Sequence, residues 1–131
     1  VGARAFFTVE NDGLRQPWIN DGLQEPWLLF VPSSVYVNPP YGKAREPWVE
    51  KCIHVASFGV PTILLIPAAT DTRIFQKAAR SATAVIFVQG RVKFGTLRPN
   101  RRQHAASHPS ALIGWNTNLD ACSQLGLRVS A

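Results

Sequence analysis

Asn38-Pro39-Pro40-Tyr41 is the stretch best suited to chemistry, and it follows directly on a β-prone run, Ser-Val-Tyr-Val at 34–37. Consider an exocyclic amine on a nucleobase. It is a poor nucleophile, because its lone pair is delocalised into the ring. A site that activates it must accept both amine hydrogens and let the nitrogen pyramidalise toward a methyl sulfonium. The side-chain oxygen of Asn38 and the backbone carbonyl of Pro39 are two such acceptors. Consecutive prolines hold that carbonyl rigidly and offer no competing N–H. Tyr41 would then stack on a base taken out of its helix. The plain alternative for the same four residues is a Pro-Pro turn ended by Gly42.

Other residues offer less. Asp71 reads as a helix cap rather than a catalytic acid. His54, His104 and His108 are too scattered for a metal site, so no metal is expected. Cys52 and Cys122 are the only cysteines, which excludes a disulfide scaffold and argues against a thiolate zinc site. They read as small apolar core groups in a reducing compartment. Trp18, Trp27 and Trp48 each follow a proline and are expected to pack the edge of the domain.

The elements that must position the motif are legible as alternating runs. Residues 5–9 (Ala-Phe-Phe-Thr-Val) are β-prone. A tandem near-repeat follows, Asn11-Asp-Gly-Leu-Arg-Gln-Pro-Trp-Ile19 and Asn20-Asp-Gly-Leu-Gln-Glu-Pro-Trp-Leu28. Its Asn-Asp-Gly turns and its prolines make it a duplicated loop rather than a solenoid. Spacing predicts a helix over 45–58, with Trp48, Cys52 and Val55 on one face and Gly59 ending it. The run 61–67 is continuously apolar between two prolines, as in a strand covered on both faces of a parallel sheet. Thr70 or Asp71 can cap a second helix running to about residue 81. Residues 84–89 and 110–115 read as strands, the latter as the last one. Residues 97–109 read as a basic loop, and the chain after Asn118 as a weakly patterned tail. Strands alternating with helices predict an α/β fold with a mainly parallel sheet.

Composition bounds the function. The 131 residues suit one domain, and 46% apolar against 17% charged residues is a globular balance. The first fifteen residues carry four charges and no long apolar core, so no secretory signal is read. The uncharged stretch 52–70 is broken by Gly59 and two prolines, so no membrane span is expected. The net charge of +6 is uneven. Residues 1–71 hold five Lys/Arg against seven Asp/Glu, and residues 72–131 hold nine Lys/Arg against Asp120 alone. A basic half beside an acidic one suits a protein that holds a polyanion along one face.

Several blocks occur in a fixed order: Asp12-Gly-Leu with Trp18 and its second copy, Val37-Asn-Pro-Pro-Tyr-Gly42, Trp48-Val-Glu-Lys51, Leu64-Leu-Ile-Pro-Ala68, Thr70-Asp-Thr-Arg73, Gly90-Arg-Val-Lys-Phe-Gly95 and Pro109-Ser-Ala-Leu112. With these blocks the chain resembles the phage-type DNA N6-adenine methyltransferase family. The resemblance implies one methyltransferase-like domain over 1–131, family-like over 5–117, with the tail at 118–131. It implies a Rossmann-like three-layer sandwich, S-adenosylmethionine as methyl donor, and adenine in double-stranded DNA as acceptor. Asn38, Pro39, Pro40 and Tyr41 inherit the catalytic role. Phe7, Thr8, Asp12 and Asp21 lie where such folds hold the cofactor, and the duplication leaves open which aspartate serves. Phe94 is expected to close the far face of the target base, opposite Tyr41. Arg91, Lys93, Arg98, Arg101 and Arg102 are expected to contact DNA phosphates. A bacterial host cytoplasm and a phage or prophage origin follow from the resemblance.

The chain also departs from that family. The usual upstream segment, which supplies the first strand at the S-adenosylmethionine site, is not seen, so the domain is expected to be truncated at its N-terminus. No Gly-x-Gly occurs anywhere. His108 replaces the usual aromatic before the late Pro-Ser. Three readings follow. One is an active methyltransferase whose donor pocket is built from residues 6–27, across a homodimer, or by an upstream partner chain. The second is an inactive remnant that binds DNA through its basic half. The third is a basic structural or interaction protein.

Overall fold

The computed structural model describes residues 34–39, 42, 45–94 and 104–130. In chain order these form β1 (Val35–Val37), α1 (Arg45–Ala56), β2 (Thr62–Pro67), α2 (Arg73–Ser81), β3 (Ala84–Val88), β4 (Lys93–Phe94), β5 (His104–Ala105), β6 (Ser110–Trp115), a 3-10 helix (Asp120–Leu125) and β7 (Gly126–Ser130). The expected strand at residues 5–9 and the tandem repeat lie outside the described residues.

Five strands make one sheet in the order β1-β2-β6-β3-β7, and β4 pairs with β5 in a separate two-stranded ribbon. β1 runs parallel to β2, with Val35 opposite Thr62 and Val37 opposite Leu64. The other three pairings are antiparallel. The domain is therefore mixed α/β with a mostly antiparallel sheet, which corrects the expectation of a mainly parallel one. The helix-bearing connections do make β1, β2 and β3 point the same way. However, β6 returns from the ribbon in the opposite sense and inserts between β2 and β3, which removes the parallel pairing they would have made.

Alternation along the strands divides the core. Val35, Val37, Leu64, Ile66, Val85, Ala111, Ile113 and Trp115 cluster with Val49, Cys52 and Val55 of α1 and Phe75 and Ala78 of α2. Both helices thus cover one face. On the other face, Leu65, Ala84, Ile86 and Leu112 pack with Leu119 and, at the margin, Cys122. The weakly patterned tail builds that second layer: residues 120–130 form the 3-10 helix and an edge strand, so β6 is not the last strand as expected. Leu119 enters in a left-handed conformation (φ 61°) to reach the sheet. A Cβ on Gly114 would come within 2.8 Å of the Leu119 side chain, so only glycine leaves room for it.

Local chemistry explains the helix ends. Thr72, neither Thr70 nor Asp71, caps α2: its hydroxyl accepts from the Phe75 amide at 3.2 Å. The same hydroxyl donates to the Ala69 carbonyl at 2.7 Å, which closes the loop onto the cap. α1 stops at Ala56, two residues short of the expected end, and turns through Gly59 at φ 83°. The basic loop expected at 97–109 contributes β5, because its second half returns to pair Ala105 with Lys93.

The end of the sheet away from the motif is stapled by β6. The Asn116 side-chain amide donates to the carbonyls of Ala56 (2.8 Å) and Val60 (3.0 Å). Its backbone amide donates to Thr83 Oγ1, and Trp115 Nε1 donates to Ser81 Oγ at 2.9 Å. Asn116 sits at φ 57°, which asparagine tolerates better than most residues. Asn116→Ala removes both carbonyl partners and strains the turn. We expect a loss of about 2 kcal/mol in chemical denaturation. A change below about 0.5 kcal/mol, the size of an ordinary surface substitution, would show that the staple is ornamental.

Candidate functional site

Val35 and Val37 are β-branched, buried and paired to β2, so β1 is held firmly for only three residues. The chain leaves the sheet at its carboxyl end with Asn38 exposed and Pro39 buried. Pro39 fixes the backbone in the core, while Asn38 presents its side chain to solvent. Gly42 is exposed at φ 85°, where a side chain would be strained. Pro40 and Tyr41 lie outside the described residues. In sheets with co-directional strands, ligands gather beyond the carboxyl ends of those strands, and Asn38 stands there.

Three other segments reach the same edge. The loop 68–72 leaves β2, and its Ala68 amide donates to the Pro109 carbonyl at 2.7 Å. That bond ties the exit of β2 to the entrance of β6, beside the Pro67–Ser110 pair. The third segment is the exit of β3 through Gly90, φ 73°, into the ribbon. Arg91 and Lys93 are exposed at the ribbon's base, and Ala106 closes onto the Val92 carbonyl at 2.7 Å. β1 and β3 are separated by β2 and β6, three strand spacings of about 4.8 Å. The ribbon base therefore stands roughly 14 Å across the sheet from Asn38.

The expected site residues divide accordingly. Asn38, Pro39, Arg91 and Lys93 are brought to one edge. Phe94 lies in β4 opposite His104, in the ribbon that rises from this edge. Phe7, Thr8, Asp12, Asp21, Arg98, Arg101 and Arg102 lie outside the described residues. Asp71 is exposed at the start of α2 without capping it. His108 is exposed and shares a 2.9 Å hydrogen bond with the Ser107 hydroxyl.

Sequence reasoning missed one feature of this edge. Between α1 and α2 lies an open cleft of about 1130 Å³, lined by Gly42, Arg45, Glu46, Glu50, the 71–74 segment, Gln76, Lys77 and Arg80. The spacing of Arg73, Lys77 and Arg80 (i, i+4, i+7) was the available signal, because it sets three cations along one helix face. The approach of Gly42 and Arg45 to that face is a tertiary fact.

Burial pushes the Cys52 thiol up to about 12, overriding the opposing pull of Lys51. Among the described residues no three His, Cys, Asp or Glu side chains gather as metal ligands. Nor is any helix among them long and apolar enough to cross a membrane.

The site is thus an Asn-Pro-Pro-Tyr sequence leaving the carboxyl end of a strand in a mixed α/β sheet, flanked by a basic ribbon. The DNA N-6-adenine-methyltransferase (Dam) family matches residues 2–125, and the chain belongs to that family. The match spans every element named here except β7. Comparison with curated proteins and with solved structures gives no significant match.

The burial of Cys52 sets a test of this packing. In the folded protein at pH 8, a thiol pushed up to about 12 is almost wholly protonated and shielded. An aromatic disulfide reagent should label Cys122, which is partly exposed, well before Cys52. Labelling of both at equal rates would show that α1 does not pack as described.

Proposed function

We propose that this chain methylates adenine at N6 in double-stranded DNA, with the target base swung out of the duplex onto Asn38–Tyr41. The observation that carries the proposal is the joint one: a family match over residues 2–125, and Asn38-Pro39 leaving the carboxyl end of the parallel β1–β2 pair. The reading extends to the fold: β1, β2 and β3 form one side of a Rossmann-like sandwich, with α1 and α2 as one outer layer.

Within this reading the chain's own residues do the following. The Asn38 side-chain oxygen accepts one amine hydrogen, and the Pro39 carbonyl accepts the other. Together they draw electron density onto the nitrogen and hold it as it pyramidalises. Pro39 and Pro40 prevent the backbone from offering a competing donor. Tyr41 stacks on one face of the base and Phe94 closes the other. Arg91 and Lys93, with Arg98, Arg101 and Arg102 of the β4–β5 connection, neutralise phosphates of the duplex and position it.

S-adenosylmethionine, when bound, supplies the methyl group as an electrophilic sulfonium. Asn38 is exposed at the sheet edge, so an amine held there is open to a methyl donor. Phe7, Thr8, Asp12 and Asp21 are the residues proposed to hold it, completed by a second copy of this chain. The enzyme works where the DNA is, in the cytoplasm of a bacterial host, and we assign it a phage or prophage origin.

A second reading rests on the charge asymmetry, nine cations against one carboxylate over residues 72–131. That half suits a DNA-binding module without transfer. One experiment separates the two. The purified chain is titrated calorimetrically with S-adenosylmethionine and S-adenosylhomocysteine, then incubated with duplex DNA, and N6-methyladenine is measured by mass spectrometry. The enzyme reading expects micromolar binding and methylated adenine. It further expects Asn38→Ala and Tyr41→Ala to lower transfer by roughly 100-fold or more, since each removes a group acting in the transition state. Duplex affinity should stay within about threefold, because phosphate contacts supply most of it. Transfer that survives in both variants would end the catalytic assignment. A folded chain that binds DNA but not the cofactor would favour the module.

A further inference from the structure

The cleft between α1 and α2 takes no part in the chemistry above, yet it opens onto the same edge. Gly42, which ends the motif segment, stands on one lip, and Asp71 and Thr72 of the β2–α2 loop stand on the other. Arg45 lines it three residues beyond Gly42. Its Nε is buried and makes no hydrogen bond. A buried cationic donor without a partner carries its desolvation cost uncompensated, and that arrangement is relieved by an anion. Across the cleft, Arg73, Lys77 and Arg80 lie along one face of α2, all exposed, in a helix without a single carboxylate.

The charge pattern narrows the occupant. Lys77 is paired with Glu50, which leaves Arg45, Arg73 and Arg80 as cations and Glu46 and Asp71 as carboxylates. One net positive charge would hold a free small anion poorly. It can hold a phosphate delivered at high effective concentration by a strand whose base is bound a few residues away. Arg45 and Arg73 are each the first residue of their helix. The positive end of the helix dipole there disfavours a cation and favours an anion beside it. From Arg73 to Arg80 the axis rises about 10 Å, which spans roughly three nucleotides of one strand at about 3.4 Å each.

We propose that this cleft is a binding site for the phosphodiester backbone of the DNA strand that carries the target adenine. Arg45 and Arg73 clamp the phosphate nearest the displaced nucleotide, and Arg80 takes one further along. The proposal rests on the reading of the chain as an adenine methyltransferase, since the base held at Asn38–Tyr41 is what delivers the phosphate.

The test is fluorescence anisotropy with a labelled 20-base-pair duplex containing adenine, from about 50 to 200 mM salt. Arg45→Gln/Arg73→Gln should flatten the slope of log affinity against log salt by about 0.9, the value for the one phosphate the two side chains share. Affinity at mid-range salt should fall at least about tenfold, equally for different duplex sequences. Arg45→Lys/Arg73→Lys should restore most of it. Arg73→Gln/Arg80→Gln touches only exposed side chains, so folding is not at issue, and it too should flatten the slope. Inorganic phosphate at about 10 mM should give no saturable effect on thermal stability, and tight phosphate binding would overturn the tethering argument. Unchanged slopes in both Gln variants, in a chain that still methylates DNA, would overturn the cleft and leave the methyltransferase reading standing. Flattened slopes in a chain that binds DNA but transfers no methyl group would leave the cleft a general phosphate contact and overturn both that reading and delivery by the target strand.

Discussion

Every residue of β6 is buried, and the rest of the domain is arranged around meeting that condition. A strand with no exposed position needs pairing on both edges and cover on both faces. β2 and β3 supply the edges. The helices cover one face, and Leu119 with the 3-10 helix covers the other. Because β6 comes back from the ribbon in the reverse direction, it separates two strands that the helical crossover would otherwise have left adjacent. Ile113 and Leu112 then sit centrally in the two clusters, one on each face. Each large aliphatic side chain buried in this way contributes roughly 1.5–3 kcal/mol.

The two ends of that strand serve different purposes. Its far end is closed by side-chain bonds: Trp115 reaches α2, and Asn116 reaches the turn after α1. Its near end is tied by the backbone bond from Ala68 to Pro109 and opens into loops and the ribbon. A rigid closed edge opposite an edge of loops is how scaffolds combine precise positioning with a surface free to bind. Asn38 profits from both, because buried Pro39 and paired Val37 hold its backbone while its side chain stays exposed.

Electrostatics follow the same division. Acidic residues dominate up to Asp71, and after it Asp120 is the single carboxylate, paired with Arg128 on the 3-10 helix side. The cations of α2 and of the ribbon base are left to the helix layer and the open edge. A polyanion approaching that edge meets the cations of α2 and of the ribbon base, which favours orientation and encounter more than tight holding.

Local sequence determined what depends on neighbours in the chain. The Asn-Pro-Pro-Tyr motif, the β-branched run before it, the apolar stretch of β2, the apolar spacing in α1 and the amphipathic face of α2 are all readable, because side-chain period and backbone restriction are local properties. The candidate site was legible in its residue types at Asn38 and Pro39, and in the cations Arg91 and Lys93. The cap of α2 was misread by one or two residues, since Thr70, Asp71 and Thr72 are all competent and only the closure of Thr72 onto Ala69 and Phe75 selects among them. Tertiary structure alone decided the rest. The insertion of β6 depends on pairing with strands more than twenty residues away in sequence. The edge strand β7 carries no strong pattern of its own and forms because β3 offers it an edge. Arg45 and Arg73 gain a common cleft only when the two helices pack on one face of the sheet. Pairing partners and helix neighbours are set by the free energy of the whole core, which no window of sequence contains.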